Sequence, residues 1–343
     1  MSFRCLPAFF LMLALCACAN PASTAVPDAG VDAHSHEHDL GVVDTGSFSG
    51  PELLSDTGLY SDFATRTIDA DVLTYGVRFP LWADGATKTR HLWLPPGTTI
   101  DTSDPDAWVF PVGTRVWKEF RVDGVLVETR FMQKLGQAQW ERVAYAWRDD
   151  GSDADAARDG ATDALGTTHD IPSVSDCNNC HRGSADNLLG VSAIQLATGE
   201  TSEPLAALAN TGRLSVPLAE HPSVPGTPLE QAVLGYLHGN CGHCHSEYHP
   251  LANLRTIRFR LPLGVIDAAD APALTTLVGS PMHHTIDETT LGIVPGDPES
   301  SQMWRRMQHR GDGNEMPPLG TETVDTDAVA LVRAWIAELP PSM

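Results

Sequence analysis

At 343 residues with 42% hydrophobic content, the chain is long enough for more than one unit and rich enough to bury real cores, which excludes disorder along its whole length. Its 44 acidic residues against 22 basic ones give a formal charge of -22, which argues against nucleic acid or an anionic lipid surface as a partner. A partner with a basic docking face suits this charge, and a merely solubilising surface is the alternative.

The N-terminus reads as a targeting segment over residues 1–17. Arg4 supplies a positive start, and Leu6 to Leu15 form an apolar run too short to span a bilayer. The run ends Leu15-Cys16-Ala17-Cys18, which resembles a bacterial lipobox and makes Cys18 the lipidated first residue of the mature chain. An ordinary signal-peptidase site is the alternative, and export follows from either. Ala19 stands where an inner-membrane retention signal carries Asp, so the expected location is the periplasmic side of the outer membrane. Residues 18–50, dominated by Pro, Ala, Gly, Ser, Thr and Asp, read as a disordered tether. Within it, His34, His36 and His38 could collect a metal ion, but a tether offers nothing to orient them.

Residues 51–170 are predicted to form a β-rich, sandwich-like module. Val116, Lys118, Phe120 and Val122 alternate with Trp117, Glu119 and Arg121. Asp123-Gly124 then makes a two-residue hairpin turn, and Val125 to Met132 returns. Val143, Tyr145 and Trp147 repeat the period before Asp149-Asp150-Gly151. The tryptophans Trp82, Trp93, Trp108, Trp117, Trp140 and Trp147 fit an aromatic core layer better than a sugar-stacking surface.

Two motifs carry the chemistry. Cys177-Asn178-Asn179-Cys180-His181 and Cys241-Gly242-His243-Cys244-His245 are each C-x-x-C-H. Two thiols three positions apart on one turn reach the two vinyl groups on one edge of a porphyrin. The adjacent His then lies under the iron as its axial ligand, so the pattern reads as a c-type haem attachment site. Zinc ribbons separate their cysteine pairs by about 15 to 20 residues, whereas about sixty intervene here. A thioredoxin-like redox pair requires a βαβ setting that the pattern lacks, and structural disulfides do not account for the two histidines. Two covalently attached haems are therefore expected, held by Cys177, Cys180, Cys241 and Cys244 and ligated by His181 and His245.

The second motif has a helical setting. Thr227-Pro228-Leu229-Glu230 reads as a capping box with Pro at the first helical position, Leu229, Val233 and Tyr236 share a face, and Gly239 is expected to end the helix. A second helix is predicted from Asp325, its N-cap, to Leu339, with Val329, Val332, Ile336 and Leu339 as its apolar stripe. Between them, Asn314-Glu315-Met316-Pro317-Pro318-Leu319-Gly320 presents Met316 on a proline-stiffened loop, as the expected sixth ligand of the second haem. Met303 and Met307 are read as core residues. For the first haem, His238, three residues before Cys241, is the candidate sixth ligand, against the alternative of a helical surface histidine. His169, His221, Met132, Met282, His283 and His284 stay open. The fold expectation is α+β and multidomain: the β-rich module, a first haem-binding segment at 171–225, and a mostly α-helical, cytochrome c-like domain with the second haem at 226–343.

Pro80-Leu81-Trp82-Ala83-Asp84-Gly85-Ala86, Phe110-Pro111-Val112-Gly113-Thr114 and Glu128-Thr129-Arg130 resemble the N-terminal blocks of a family of bacterial dihaem c-type cytochromes. Val294-Pro295-Gly296-Asp297-Pro298, Met316-Pro317-Pro318-Leu319-Gly320 and Ala334-Trp335-Ile336 are similar to its C-terminal blocks. The resemblance implies a β-rich module followed by two C-x-x-C-H sites. It also implies an association with sugar dehydrogenases of the pyrroloquinoline quinone type.

The expected function is electron transfer between a periplasmic dehydrogenase or reductase, such as a quinoprotein, and the respiratory chain, by a carrier rather than an enzyme. A dihaem peroxidase with an open site at the first haem is the alternative, and a sugar- or copper-binding β module with haems as its electron exit is a further one. If Cys18 carries the anchor, Cys18→Ser should move the mature chain from the membrane fraction to the soluble fraction with its visible spectrum unchanged. A chain that is soluble with Cys18 intact would refute the lipobox.

Overall fold

The computed structural model describes residues 50–198, 203–218 and 222–341. The proposed signal peptide, the tether, Cys18, the His34, His36 and His38 tract and His221 lie outside the described residues. All described residues belong to one compact unit.

The unit is organised on one six-stranded antiparallel sheet. A short hairpin of β1 (Tyr60–Asp62) and β2 (Thr67–Ile68) precedes it. The sheet is then a meander in chain order: β3 (Leu73–Tyr75), β4 (Thr87–Trp93), β5 (Arg115–Val122), β6 (Val125–Gly136), β7 (Gln139–Trp147) and β8 (Ala154–Ala156). Asp123 and Gly124 both take positive φ, 49° and 82°, as a primed two-residue turn between twisted strands requires. The strand period sorts the side chains into two buried faces. Trp117, Phe131, Val143, Tyr145 and Trp147 pack with Leu54, Leu59 and Val72 on one. Leu92, Val116, Met132 and Trp140 pack on the other with Leu188, Val191, Leu196 and Leu205 from the chain that follows. In place of the expected sandwich, the described residues have one six-stranded sheet and two short hairpins, and helices and loops from later in the chain pack on one face of that sheet. Four of the six tryptophans are buried, Trp117 and Trp147 on one face and Trp108 and Trp140 in the other core, so they are core residues rather than a stacking surface.

Seven helices and a second hairpin follow among the described residues. They are α1 (Val174–His181), α2 (Ala193–Leu196), α3 (Glu203–Asn210), α4 (Pro228–Asn240), α5 (Pro272–Leu277), the hairpin of β9 (Pro281–Ile286) and β10 (Thr289–Leu291), α6 (Gln302–Met307) and α7 (Thr326–Glu338). Thr227 and Glu230 form the reciprocal capping box that starts α4, with Pro228 at its first position. Asp325 caps α7 by accepting the Ala328 N–H at 3.0 Å. Val233, Leu234 and Leu237 of α4 meet Val332, Trp335 and Ile336 of α7 in one core, with Met303 and Met307 of α6.

Gly239 does not end α4, as its sequence position suggested. The helix continues to Asn240 and is capped at Cys241. Gly239 is there for close approach: a Cβ would lie 2.6 Å from the Phe79 carbonyl oxygen, and one on Gly235 would lie 2.0 Å from the Phe79 ring. The loop before β4 lies directly on the helix that leads into the second motif. Gly239→Ala should therefore destabilise the protein by about 1–3 kcal/mol, the usual cost of overpacking, even though alanine is the better helix former. Gly264→Ala, with no neighbour within 4 Å of its Cβ, is the matched control. Urea unfolding of both checks this, and an unchanged midpoint for Gly239→Ala would remove the close-approach argument.

Candidate functional site

The first motif occupies the last turns of α1. Ser173 and Asp176 cap its start reciprocally, the Ser173 side chain accepting the Asp176 N–H and the Asp176 carboxylate accepting the Ser173 N–H. Arg142 on β7 fixes the helix to the sheet. Its guanidinium donates to the Asn178 side-chain carbonyl at 2.9 Å and to the Asn187 backbone carbonyl at 3.1 Å. That same Asn187 carbonyl lies 3.1 Å from His181 Nδ1. A carbonyl only accepts, so Nδ1 carries the proton and Nε2 keeps its lone pair free, the tautomer an iron-ligating imidazole needs. Burial, with help from the charges of Arg142 and Lys118, holds His181 well below the usual imidazole pKa and so keeps it neutral.

The second motif begins where α4 ends. The helical hydrogen bonding continues past the helix, the Cys241 N–H donating to the Leu237 carbonyl and the His245 N–H to the Cys241 carbonyl at 2.9 Å. The His245 ring stands edge-on to Phe259, centroids 5.3 Å apart. Its Nδ1 is buried without a hydrogen-bond partner among the described residues. Burial pushes its pKa down to about 4. The entry to this motif is clamped by the Pro80–Asp84 block. Asn240 accepts the Trp82 N–H at 2.7 Å and donates to the Pro80 carbonyl at 3.2 Å. Asp84 accepts the Glu322 and Thr323 N–H groups beyond the Met316 loop.

The two motifs touch. The Ser246 hydroxyl donates to the Gly183 carbonyl at 2.6 Å. A Cβ on Gly183 would lie 1.5 Å from the His243 carbonyl oxygen, so only glycine allows this approach. All four motif cysteines are unbonded thiols. Burial raises Cys180 to about 11 and Cys241 to about 12, so both stand as neutral thiols. Among the described residues, no group of three or more His, Cys, Asp or Glu side chains is arranged to hold a metal ion. Paired free thiols beside a buried neutral histidine with a free Nε2 do fit a covalently held haem.

Other expected ligands stand differently. Met316 is 36% exposed and is tied by its backbone N–H to the Arg306 carbonyl. Met303 and Met307 are buried in the core against which Cys241 packs, as their helical spacing suggested. His238 is buried, but its Nδ1 accepts the Leu261 N–H at 3.0 Å. Burial lowers its pKa to about 4, so the ring is neutral and carries its single proton on Nε2. In this arrangement its Nδ1 lone pair is taken by the Leu261 N–H and its Nε2 carries the proton. His243, a variable position of the second motif that reads in sequence only as spacing, lines a cavity of about 120 Å³ beside the first motif, with Arg90, Lys118, Trp108, Phe110 and His238. His249, also missed in the sequence, is buried beside Gly183 and accepts the Leu251 N–H.

Residues 284–320, the stretch from β9 through the Met316 loop, match the family model described as Planctomycete cytochrome C. The match supports a cytochrome c family for this protein, and with it a covalently bound c-type haem and haem-based electron transfer. No curated protein and no solved structure matches the chain.

Next to the first motif, fully buried Glu128 takes Arg130 in a two-point ion pair at 2.6 and 3.0 Å, and His169 Nε2 at 2.7 Å. Burial raises the Glu128 pKa, but Arg130 and His169 outweigh it and leave the carboxyl below its ordinary value. A depressed folded-state pKa contributes stability that is present above the unfolded value and lost as pH falls through the folded one. Glu128→Gln should cost about 3–5 kcal/mol at neutral pH, as for one partner removed from a buried pair. The gap to wild type should close as pH drops below the ordinary carboxylate range. Urea unfolding across pH tests this, and a pH-independent gap would show that the ion pair is not its source.

Proposed function

We propose that the protein is an exported dihaem c-type cytochrome that carries electrons on the periplasmic side of the outer membrane, anchored through Cys18. The observation that carries this reading is the contact between two complete C-x-x-C-H motifs within one compact unit, at Gly183, His243 and Ser246. Cys177 and Cys180 would hold one haem and Cys241 and Cys244 the other through thioether bonds, with His181 and His245 as the axial histidines. When bound, each haem supplies a one-electron Fe(II)/Fe(III) couple. The chain's part is ligation, burial and docking. The Asn187 carbonyl fixes the His181 ring, and Phe259 limits the orientations open to His245. Met316 is the proposed sixth ligand of the second haem. For the first haem, His243 is proposed in preference to His238, because it lines the cavity beside the first motif and its ring makes no hydrogen bond among the described residues. The charge of -22 suits a redox partner with a basic face, such as a quinoprotein dehydrogenase.

A haemochrome assay on chain exported through a haem-maturation system should give two haems per chain, retained on denaturing gels. Cys177→Ala with Cys180→Ala should leave one. One haem in the wild type would refute the dihaem reading. Low-temperature EPR should show both ferric haems low-spin. His243→Ala should turn one high-spin and His238→Ala should not, and the reverse result would restore His238 as the ligand. Met316→His should abolish the near-infrared thioether-to-iron band and lower one potential. A wild-type haem already high-spin and turning over peroxide would replace the carrier with a peroxidase.

A further inference from the structure

The sheet face turned toward the two motifs carries an uninterrupted cationic row. Arg90, Lys118 and Arg130 are direct cross-strand neighbours on β4, β5 and β6. Like charges placed directly opposite destabilise a sheet. Such a row in a chain with twice as many acidic as basic residues therefore calls for a countercharge. Arg130 has one in Glu128. Arg90 and Lys118 make no ion pair and no hydrogen bond among the described residues. Arg90 is only 8% exposed, and both line the cavity beside the motifs.

The acidic groups nearby are already engaged. Asp186 takes Lys134 Nζ at 2.6 Å and the Phe110 N–H at 2.8 Å. Asp106 takes Arg260 at 3.2 Å and the Leu263 N–H. Glu128 is shared by Arg130 and His169. Arginine cannot shed its charge to relieve burial, and a buried charge is tolerated when it is paired.

We propose that Arg90 and Lys118 form a carboxylate-binding site through which the β-sheet module holds an anionic group against the two motifs. This deepens the dihaem reading and rests on it, since haem carries two propionates and both cations line the cavity shared with His243. A free small carboxylate carries the same chemistry. The row thereby assigns a role to the β-rich module, which provides a buried place in a strongly acidic protein where a carboxylate is neutralised. Burial and the neighbouring Arg90 and Arg130 charges hold the Lys118 ammonium well below its usual pKa, and a bound carboxylate would reverse that.

The test uses the loaded cytochrome in wild-type, Lys118→Gln, Arg90→Gln and Lys118→Arg forms, each first assayed for two haems per chain. Resonance Raman reads the propionate bending modes, potentiometry reads each haem, and calorimetry reads binding of succinate. If propionates occupy the site, Lys118→Gln and Arg90→Gln shift those modes and move one midpoint to lower potential, because loss of a cation favours Fe(III). Lys118→Arg restores both. If a free carboxylate occupies it, wild type binds succinate saturably and either glutamine variant loses at least tenfold in affinity. Wild-type protein that shows neither succinate binding nor the Raman signature of charge-paired propionates overturns the proposal, even if the variants fail to fold. A midpoint shift with unmoved propionate modes and no succinate binding also overturns it, since a buried charge changes a potential from a distance. Two intact haems in that case leave the dihaem reading standing, whereas fewer than two in wild type defeats that reading instead.

Discussion

The site depends on one approach of backbone to backbone, at Gly183 and His243. The residue two past the first motif's histidine lies against the middle of the second motif, with no room for a Cβ. That contact sets what the surrounding chain must do. The segment carrying α1 has to be pinned to the sheet, which Arg142 does through Asn178 and Asn187. The end of α4 has to be pinned to the same body, which Phe79, Pro80 and Trp82 do through Gly235, Gly239 and Asn240. The six-stranded sheet is thus the common reference for both motifs, and neither motif sits on a separate domain.

The same arrangement explains how the charge is distributed. An acidic chain keeps its surface carboxylates in water, where they cost little, and gathers cations on the sheet face turned toward the two motifs. There, fully buried Glu128 is held ionised by Arg130 and His169, and Lys134 is held by Asp186. Unsupported charges at such depth are expensive, so Glu128 and Lys134 are each held by a partner of opposite charge. On the opposite face, the Glu119 carboxylate accepts from the Tyr60 hydroxyl and lies 3.7 Å from His91, and that face carries no motif. The two faces of one sheet therefore serve different ends, and the sequence alternation that builds them is the same.

Much of this was legible in the sequence because its causes are local. C-x-x-C-H spacing is a property of one turn. The Asp123-Gly124 hairpin follows from backbone torsions at two residues. The capping box of α4 and the Asp325 cap of α7 are satisfied within four residues of the chain. The β strands, the burial of Trp117, Trp140 and Trp147 and the core positions of Met303 and Met307 follow from periodicity.

What the tertiary structure decided involves partners far apart in the chain. Gly239 looked like a helix end because glycine often is one, and only the Phe79 carbonyl, 160 positions away, shows that it is a clearance. His238 is a candidate ligand by its position, and only the fold shows that its Nδ1 accepts the Leu261 N–H. His243 looked like spacing, and the fold places it in the lining of the cavity. The cationic row is three residues on three strands, invisible until the register sets Arg90 beside Lys118 and Lys118 beside Arg130. Attachment chemistry is determined by residues adjacent in sequence, so the sequence alone specifies it. Ligand choice and countercharge are determined by which lone pairs and charges meet across the fold, and only strand register and helix docking fix those.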